Sequence, residues 1–413
     1  MDSIKISAST KVIEGDINLP LSKSMSNRSL MILALSGGDV KKENISDAED
    51  TRLLDKILEQ IHAGNDHHIY CKNAGTVIRF LSAYLAITPG LWILNGDERM
   101  RQRPIGPLVD ALRSLGADIE YEAEEGFPPL KIRGVRLAGG RVKIDSSLSS
   151  QFLSALMMIG PVLKDGLTIR SDGRQVSLPY IYMTAHMMKN AGAGVSLGLP
   201  EIRISGKGYR GGQLPIETDW SSAAFWYELM ALSEGGALLL RGLKEDSIQG
   251  DSIARKYFYM LGVETLFTAE GALIRKNKQL SEVFDYEVSQ HPDLAPPLIV
   301  STAAKGLKGN FYGIQGLRIK ESDRSQALAE ELLKCDVECR IEDDQLFFHG
   351  QKMNIKKAIN THNDHRIAMA FAPLAILGDP VTIENPEVVS KSYPNFWNEL
   401  QKVLDFRHPA AGI

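Results

Sequence analysis

Short alternating segments and longer apolar segments follow one another along the chain. Three stretches share one order: an alternating run, a Ser-rich turn, and an apolar run that ends at Gly. Alternation with period two indicates a half-buried strand, and an apolar run too long for a strand indicates a buried helix. The three stretches are E-G-D-I-N-L-P-L-S-K-S-M-S-N-R-S-L-M-I-L-A-L-S-G-G, G-G-R-V-K-I-D-S-S-L-S-S-Q-F-L-S-A-L-M-M-I-G and G-G-Q-L-P-I-E-T-D-W-S-S-A-A-F-W-Y-E-L-M-A-L-S-E-G-G.

The same unit is predicted six times. Three more apolar helices are expected from about Asn73, Asp293 and Asp364. An amphipathic helix followed by an alternating strand also recurs, as in A-L-R-S-L-G-A-D-I-E-Y-E. After a short first interval the apolar helices recur roughly every 70 residues, a spacing typical of repeated supersecondary units. The predicted fold is therefore α/β, with a six-fold internal repeat and two domains of three units each. The later helix starts lie near Gly75, Ser150, Ser221, Asp293 and Asp364.

Composition is typical of a soluble globular protein. The chain has 413 residues, which exceeds what one hydrophobic core usually serves, so two domains are expected. No apolar run approaches the length of a membrane span, and the first residues lack the pattern of a signal peptide, which predicts a cytoplasmic location. A net charge of -4 argues against nucleic-acid binding, because that requires a surplus of Lys and Arg.

The cysteines do not suggest a disulfide framework or a zinc site. Cys71, Cys335 and Cys339 contain no C-x-x-C pair, and such a small number suits a reducing compartment. Phosphate-loop and H-E-x-x-H patterns do not occur either. Ordinary nucleotide-binding and metalloenzyme functions are therefore disfavoured.

Basic residues cluster where the apolar helices are predicted to begin. Lys23 and Arg28 flank the first start, Arg79 and Arg103 lie around the second, and Arg366 follows the last. A helix N-terminus presents unpaired N–H groups and about half a positive charge, so it attracts anions. Ordinary caps on core helices are the alternative for each start taken alone.

Two short motifs are rich in polar and charged side chains. In L-S-K-S-M-S-N-R, Ser24 and Arg28 stand four apart and share a helical face, which suits a phosphate or carboxylate. In R-I-K-E-S-D-R, Lys320 and Arg324 are also four apart, with Glu321 between them. A capped surface helix and a solvated charged helix are the respective alternatives.

Three further segments carry candidate ligands. N-D-H-R places an imidazole and the guanidinium of Arg366 at the opening of an apolar helix. Asp293 opens another such helix, where a simple N-cap is the alternative. S-L-S-S-Q, ending at Gln151, offers neutral donors and acceptors, although a Ser-rich turn is common. Lys391 has no distinctive context.

Taken together and in order, these motifs resemble the EPSP synthases, a family of enolpyruvyl transferases. The resemblance spans essentially the whole chain: S-K-S-M-S-N-R, N-A-G-T, R-x-R-P-I-G, S-S-Q-F, K-E-S-D-R, N-D-H-R and a late Lys. It implies two similar domains, each of three βαβαββ units, with the active site in the interdomain cleft. Crossover strands are expected near Leu21 and Thr218, which gives one domain of residues 1–20 plus 219–413 and another of residues 21–218.

The resemblance also implies a reaction and its residues. The enolpyruvyl group of phosphoenolpyruvate would move to the 5-hydroxyl of shikimate 3-phosphate, in a monomer without metal or organic cofactor. Asp293 would act as the base, and Glu321, with Lys23, as the acid toward carbon. The expected shikimate 3-phosphate ligands are Lys23, Ser24, Arg28, Ser149, Ser150, Gln151, Ser177, Asp293 and Lys320. The expected phosphoenolpyruvate ligands are Lys23, Gly75, Arg103, Gln151, Arg324, Arg366 and Lys391.

Two other functions would account for part of this sequence pattern. UDP-N-acetylglucosamine enolpyruvyl transferases use the same donor but place a reactive Cys before an Arg-Pro pair, and G-D-E-R-M-R-Q-R-P has none. A non-catalytic anion-binding repeat protein would explain the basic clusters but not the acids Asp293 and Glu321. Departures from the family pattern occur at Leu21, Phe80, Leu178 and Gly316, and Gly316 removes one expected polar contact to shikimate 3-phosphate.

Overall fold

The computed structural model describes residues 3–38, 44–64, 67–278 and 281–407. Contacts divide the chain into two compact units. The N-terminal unit comprises Ser22–Ser46 and Asp50–Ile216, and the C-terminal unit comprises Met1–Leu21, Asp47–Glu49 and Glu217–Ile413.

Strands and helices alternate along most of the chain. The strands are β1 (Ser3–Ser7), β2 (Val12–Asn18), β3 (His68–Tyr70), β4 (Gly90–Asn95), β5 (Asp118–Tyr121), β6 (Leu130–Gly134), β7 (Gly140–Asp145), β8 (Leu167–Asp172), β9 (Val195–Gly198), β10 (Glu201–Ile204), β11 (Gly235–Arg241), β12 (Val263–Thr268), β13 (Gly271–Lys276), β14 (Val283–Glu287), β15 (Lys308–Tyr312), β16 (Arg340–Glu342), β17 (Gln345–Phe348), β18 (Val381–Glu384) and β19 (Asp405–Arg407). The helices are α1 (Lys23–Leu35), α2 (Glu49–His62), α3 (Gly75–Ile87), α4 (Gly106–Ser114), α5 (Ser150–Ile159), α6 (Leu178–Asn190), α7 (Trp220–Leu232), α8 (Ala254–Met260), α9 (Ala295–Ala304), α10 (Gln315–Arg318), α11 (Arg324–Lys334), α12 (His365–Phe371) and α13 (Phe396–Leu400).

Four four-stranded sheets share one connectivity. Their orders are β3-β4-β6-β5, β7-β8-β10-β9, β2-β11-β13-β12 and β14-β15-β17-β16. In each, the first two strands are parallel and the remaining pairings are antiparallel. A parallel pair needs a crossover, and an apolar helix supplies it in three of the sheets, which gives the βαβαββ unit.

The sheet containing β2 is completed by a strand from far along the chain. β2 pairs in parallel with β11, from Val12 opposite Gly235 to Asn18 opposite Arg241. β1 likewise pairs with β18 and β19 in a three-stranded antiparallel sheet. An isolated antiparallel bridge joins Leu21 to Thr218. Strands formed early in the sequence therefore belong to the C-terminal unit.

The six predicted apolar helices are all present, as α1, α3, α5, α7, α9 and α12. Every residue of α7 is buried, which explains why its sequence is apolar on all sides. By contrast α2 buries Leu54, Ile57, Leu58 and Ile61, a helical spacing along one face. Among the residues that the structure describes, no helix is both long and apolar enough to cross a membrane.

The repeat is less uniform than its sequence period suggests. Of the described residues, those around α1 and α2 form the isolated bridge at Leu21 but no four-stranded sheet. The unit built on α12 shares its short sheet with β1 and β19. The short first interval in the sequence thus corresponds to a reduced unit.

The segment R-I-K-E-S-D-R does not form the charged helix considered as its alternative. Lys320 and Arg324 do not share a helical face, because α10 ends at Arg318 and α11 begins at Arg324. The side chain of Asp323 accepts a hydrogen bond from the Gln326 amide and so caps α11. Arg324 is also fully buried, which excludes the solvated charged helix.

Candidate active site

In the N-terminal unit, the first turns of three apolar helices lie together. Asn27 on α1 donates its side-chain amide to the Thr76 hydroxyl on α3 at 2.8 Å. Arg79 on α3 donates to the Gln151 side-chain oxygen on α5 at 3.1 Å. Ser22 and Ser149 cap α1 and α5 through their hydroxyls. Three positive helix ends therefore meet in this unit, as the clustering of basic residues predicts.

Lys23 lies at the start of α1 in contact with an acid. Its ammonium is 3.0 Å from Asp50 Oδ2, and the side chains expose 15% and 6% of their surface. Such burial removes much of the solvent screening that weakens surface ion pairs. Asp50 therefore holds the Lys23 ammonium in one position.

Arg28 is buried without a carboxylate partner among the described residues. Its guanidinium donates to the Thr184 hydroxyl at 2.6 Å, the Ser24 carbonyl at 2.9 Å and the Ser154 hydroxyl at 3.1 Å. The rings of Phe80 and Tyr180 lie 5.4 and 5.9 Å from it. Burial lowers the pKa of Arg28 to about 10, against an opposing effect of Tyr180, so the side chain stays cationic at neutral pH. The shared face of Ser24 and Arg28 is confirmed, and the positive charge is available to an anion.

Gly75 separates two buried guanidinium groups. A Cβ at this position would lie 2.6 Å from Arg103 Nη2 and 2.8 Å from Arg79 Nη1. Arg103 donates to the Asn73 carbonyl and side-chain oxygens at 3.2 and 2.9 Å, and Arg79 donates to the Pro104 carbonyl at 2.9 Å. Glycine at the start of α3 thus lets both arginines approach the helix end.

The Ser-rich segment before α5 caps that helix. Ser149 accepts from the Gln151 amide at 3.2 Å, and Ser150 is buried. Ser177 precedes α6 with a left-handed backbone, at φ 53°, and makes no side-chain cap.

In the C-terminal unit, α9 and α12 meet through Asp293 and Arg366. Arg366 Nη2 lies 2.7 Å from Asp293 Oδ2, and Nη1 donates to the Asp293 carbonyl at 3.3 Å. Arg324 Nη1 approaches the other oxygen, Oδ1, at 3.3 Å. Each carboxylate oxygen of Asp293 therefore faces a different guanidinium.

Glu321 and Asp364 also contact Arg324. Glu321 Oε2 accepts from Arg324 Nη2 at 2.9 Å. Asp364 accepts from Arg324 Nε at 2.9 Å and from Arg324 Nη2 at 3.2 Å. Burial alone would lower the pKa of Arg324, but Asp364, Glu321 and Asp293 together raise it. This guanidinium is a permanent cation bound by three acids.

The charges of neighbouring side chains determine the protonation state of Asp293. Burial would raise the pKa of this carboxyl, but Arg366, Lys320 and Arg324 hold it well below its usual range, against a smaller opposing effect of Glu321. Asp293 is therefore a carboxylate at neutral pH, able to accept a proton.

Lys320 acts on the same cluster, whereas Lys391 lies on a separate short helix. Lys320 is half-buried in the turn between α10 and α11 and acts on Asp293 electrostatically. Lys391 ends a short 3-10 helix, Pro386–Lys391, and is also half-buried. Gly316 lies on α10, where a Cβ would meet nothing within 4 Å.

Two acids and one arginine of these clusters were not among the predicted site residues. Asp50 carries no motif of its own, and its partner Lys23 is 27 residues away. Asp364 belongs to N-D-H-R, where its position indicates only a helix start, and Arg79 lies near another predicted helix start. The sequence signal for Arg79 was its position one turn after Gly75.

Neither a reactive thiol nor a metal cluster accompanies these residues. Burial raises the pKa of Cys71 far above its usual value, and burial raises those of Cys335 and Cys339 to about 12. Thiols of this kind are poor nucleophiles at neutral pH. Within the described ranges, no three His, Cys, Asp or Glu side chains are grouped as metal ligands.

Comparison with known proteins gives a consistent result. The family model of EPSP synthase (3-phosphoshikimate 1-carboxyvinyltransferase) matches residues 57–400. A 3-phosphoshikimate 1-carboxyvinyltransferase of Bacteroides fragilis is 44% identical over 394 residues, covering 94% of this chain and 95% of that protein. One of Photobacterium profundum is 35% identical over 416 residues, covering 95% and 96%.

A solved structure supports the fold independently. The EPSP synthase of Acinetobacter baumannii superposes with a TM-score of 0.76 at 22% identity, covering 99% of this chain and 100% of that one. This likeness establishes the two-domain enolpyruvyl transferase fold. With the family match over most of the chain and the relative at 44% identity, it shows that the chain belongs to the EPSP synthase family.

Proposed function

We propose that this protein transfers the 1-carboxyvinyl group of phosphoenolpyruvate to the 5-hydroxyl of shikimate 3-phosphate and releases phosphate. The products are 5-enolpyruvylshikimate 3-phosphate and phosphate, in the biosynthesis of chorismate and the aromatic amino acids. The observation that carries the proposal is the contact of Asp293 with both Arg324 and Arg366, because it places an ionised base beside two cations suited to an anionic substrate.

Both units are proposed to supply ligands. For shikimate 3-phosphate these are Lys23, Ser24, Arg28, Ser149, Ser150, Gln151, Ser177, Asp293 and Lys320. For phosphoenolpyruvate they are Lys23, Gly75, Arg103, Gln151, Arg324, Arg366 and Lys391. The buried charge of Arg28 supports the first set.

Proton transfer is assigned to three of these residues. Asp293 takes the proton of the 5-hydroxyl as its oxygen attacks C2 of phosphoenolpyruvate, and the methylene carbon gains a proton from Glu321 assisted by Lys23. A tetrahedral adduct results. Departure of phosphate then re-forms the double bond as the same carbon returns its proton. The basic residues stabilise the substrate carboxylate and the leaving phosphate.

The buried state of the thiols argues against the sister reaction on UDP-N-acetylglucosamine. That reaction depends on a reactive Cys, whereas Cys71 is fully buried and protonated. A non-catalytic anion-binding role would leave Asp293 in the cluster unexplained.

Phosphate release in the presence of each acceptor tests the assignment. We expect release with shikimate 3-phosphate and phosphoenolpyruvate, and none when UDP-N-acetylglucosamine replaces the first. Asp293→Asn should reduce turnover by orders of magnitude with shikimate 3-phosphate affinity largely kept, while the exposed Asp285→Asn serves as control. Binding of both substrates by calorimetry without any release would support the scaffold and refute the enzyme.

The protein is further proposed to act as a monomer in the cytoplasm. All proposed ligands come from one chain, so catalysis does not require a second copy. The free thiols Cys71, Cys335 and Cys339 suit a reducing compartment. Light scattering after size exclusion would contradict the monomer if it gave twice the 45.5 kDa mass of the chain.

A further inference from the structure

Two lysine side chains converge on one backbone carbonyl at the C-terminal end of α7. Lys276 Nζ donates to the Ala231 carbonyl oxygen at 2.8 Å, and Lys305 Nζ donates to the same oxygen at 2.9 Å. Lys276 is the last residue of β13, and Lys305 follows the last residue of α9. The two ammonium groups therefore lie within a few ångströms of each other.

This arrangement is more positive than a helix end requires. The last carbonyls of a helix carry about half a negative charge, which one lysine would balance. Both side chains are half-buried, and neither Lys276 nor Lys305 has a carboxylate partner among the described residues. An excess of positive charge thus remains in a partly dry position.

The environment makes one of the two amines unusually nucleophilic. Burial, with a smaller effect from the positive charge of Lys276, lowers the pKa of Lys305 to about 8. Burial also lowers the pKa of Lys276. Near pH 8 a much larger share of Lys305 is therefore the neutral amine than of an exposed lysine, which with a pKa of about 10.4 is less than about 1% neutral.

We propose that Lys305 is a site of reversible carbamylation by carbon dioxide, with Lys276 as the counterion of the carbamate. The lone pair of the neutral Lys305 amine attacks the carbon of CO2, a nitrogen–carbon bond forms, and one C=O electron pair moves to oxygen. One amine proton is released to solvent. No oxidant or other reactant is needed.

The carbamate matches the groups around it. It keeps one N–H, which continues to donate to the Ala231 carbonyl. Its two oxygens accept from the Lys276 ammonium, so a pair of like charges becomes a pair of opposite charges. The modification therefore strengthens the junction between the ends of α7 and α9.

The test is isotope labelling of the intact enzyme near pH 8 with 13C-labelled CO2 and bicarbonate in a closed vessel. A trialkyloxonium reagent traps the carbamate as a stable ester, and peptide mass spectrometry locates it. We expect at least about tenfold more trapped adduct on Lys305 than on the exposed Lys308, since few amines of ordinary pKa are neutral at this pH. Equal or lower labelling of Lys305 would overturn the proposal.

Variants separate the amine from its counterion. Lys305→Arg keeps the charge but has no reactive amine, so it should lose the adduct, while Lys308→Arg should keep it. Lys276→Arg should preserve the adduct on Lys305, and Lys276→Gln should reduce it several-fold. An undiminished adduct in Lys276→Gln would refute the proposed counterion. The thermal unfolding midpoint should rise with CO2 in the unsubstituted protein but not in Lys305→Arg, and a rise in both would count against Lys305.

Discussion

Arg324 and Asp364 are joined by two hydrogen bonds, from Nε to Oδ2 at 2.9 Å and from Nη2 to Oδ1 at 3.2 Å. The side chain of Arg324 exposes 1% of its surface and that of Asp364 none. Asp364 also accepts from the Arg366 amide at 2.9 Å and so caps α12. One buried carboxylate therefore positions two of the proposed phosphoenolpyruvate ligands.

Asp364→Asn should affect both stability and substrate binding. Removing one member of a buried ion pair typically costs about 3 kcal/mol or more, because the other charge stays buried. We expect the free energy of unfolding to fall by about that amount and the KM for phosphoenolpyruvate to rise more than that for shikimate 3-phosphate. Urea unfolding and steady-state kinetics measure the two effects.

Asp343→Asn is a suitable control for this change. Asp343 is exposed and has a left-handed backbone, at φ 49°, which Asn tolerates. Asp343→Asn should change neither the free energy of unfolding nor the KM for phosphoenolpyruvate appreciably. A similar KM for phosphoenolpyruvate in Asp364→Asn and the unsubstituted enzyme would show that Asp364 does not position Arg324 or Arg366.

Gly75→Ala should weaken phosphoenolpyruvate binding with little change in the affinity for shikimate 3-phosphate. The new Cβ would displace Arg103 and Arg79, and both are too buried to swing into solvent. We expect the KM for phosphoenolpyruvate to rise by about tenfold, equivalent to about 1.4 kcal/mol.

Gly316→Ala provides the matched comparison. The same methyl group there meets nothing within 4 Å, and in α10 it should stabilise by up to about 1 kcal/mol. An unchanged KM in Gly75→Ala, or an equal rise in both variants, would count against the role assigned to Gly75.

The pH dependence of turnover should reveal how substrates alter Asp293. In the free enzyme Arg366, Lys320 and Arg324 lower the pKa of Asp293. Bound substrate anions would neutralise these cations, so the pKa of Asp293 should rise in the complex, which makes it a stronger base. We expect the acid limb of kcat to lie at higher pH than the acid limb of kcat/KM.

Lys320→Met isolates the contribution of the protein to this profile. Losing one cation should move the acid limb of kcat/KM to higher pH, while ionisation of the substrate phosphates is the same for both enzymes. If the limb of kcat/KM does not move, the proposed electrostatic control of Asp293 is wrong.

Glu228→Gln should stabilise the protein at neutral pH. Glu228 is fully buried in α7, neither carboxylate oxygen has a hydrogen-bond partner among the described residues, and burial raises its pKa well above the usual value. The unfolded chain ionises above about pH 4.3 whereas the folded protein retains the proton, so stability is lost as the pH rises toward the folded pKa. The gain in unfolding midpoint should be small near pH 4 and larger at pH 7.

The exposed Glu59→Gln on α2 serves as the control and should show no comparable increase with pH. A stabilisation by Glu228→Gln that is equal at both pH values would contradict a protonated Glu228 in the folded protein.

Local sequence signals predicted the elements well but not all their contacts. The apolar helices, the strands after the amphipathic helices and the shared face of Ser24 and Arg28 follow from periods and caps that involve neighbouring residues. Two ion pairs could not be predicted in this way, because they depend on which helices pack together. They are Lys23–Asp50, which are 27 residues apart, and Arg324–Asp364, which are 40 residues apart. A single sequence carries no local signal for such pairs.

The charged helix that was the alternative for R-I-K-E-S-D-R fails for a local reason. Four-residue spacing of Lys320 and Arg324 is compatible with a helix, but Asp323 followed by Gln326 is an N-cap with the Gln of a capping box. The cap outweighs the spacing because it satisfies a backbone N–H at the true helix start. Given that signal, the motif indicates a turn that presents Lys320 and Glu321, followed by a buried Arg324.

The pairing of β2 with β11, and of β1 with β18 and β19, has a consequence for biogenesis. β1 and β2 are synthesised before the N-terminal unit, yet their partner strands are synthesised after it. That unit can fold as it is synthesised. During this time β1 and β2 remain without their partner strands, and unpaired strand edges are prone to aggregation. Their pairing closes very long loops, a step that is intrinsically slow. Chaperone demand during synthesis should therefore centre on β1 and β2, and not on the longer apolar helices.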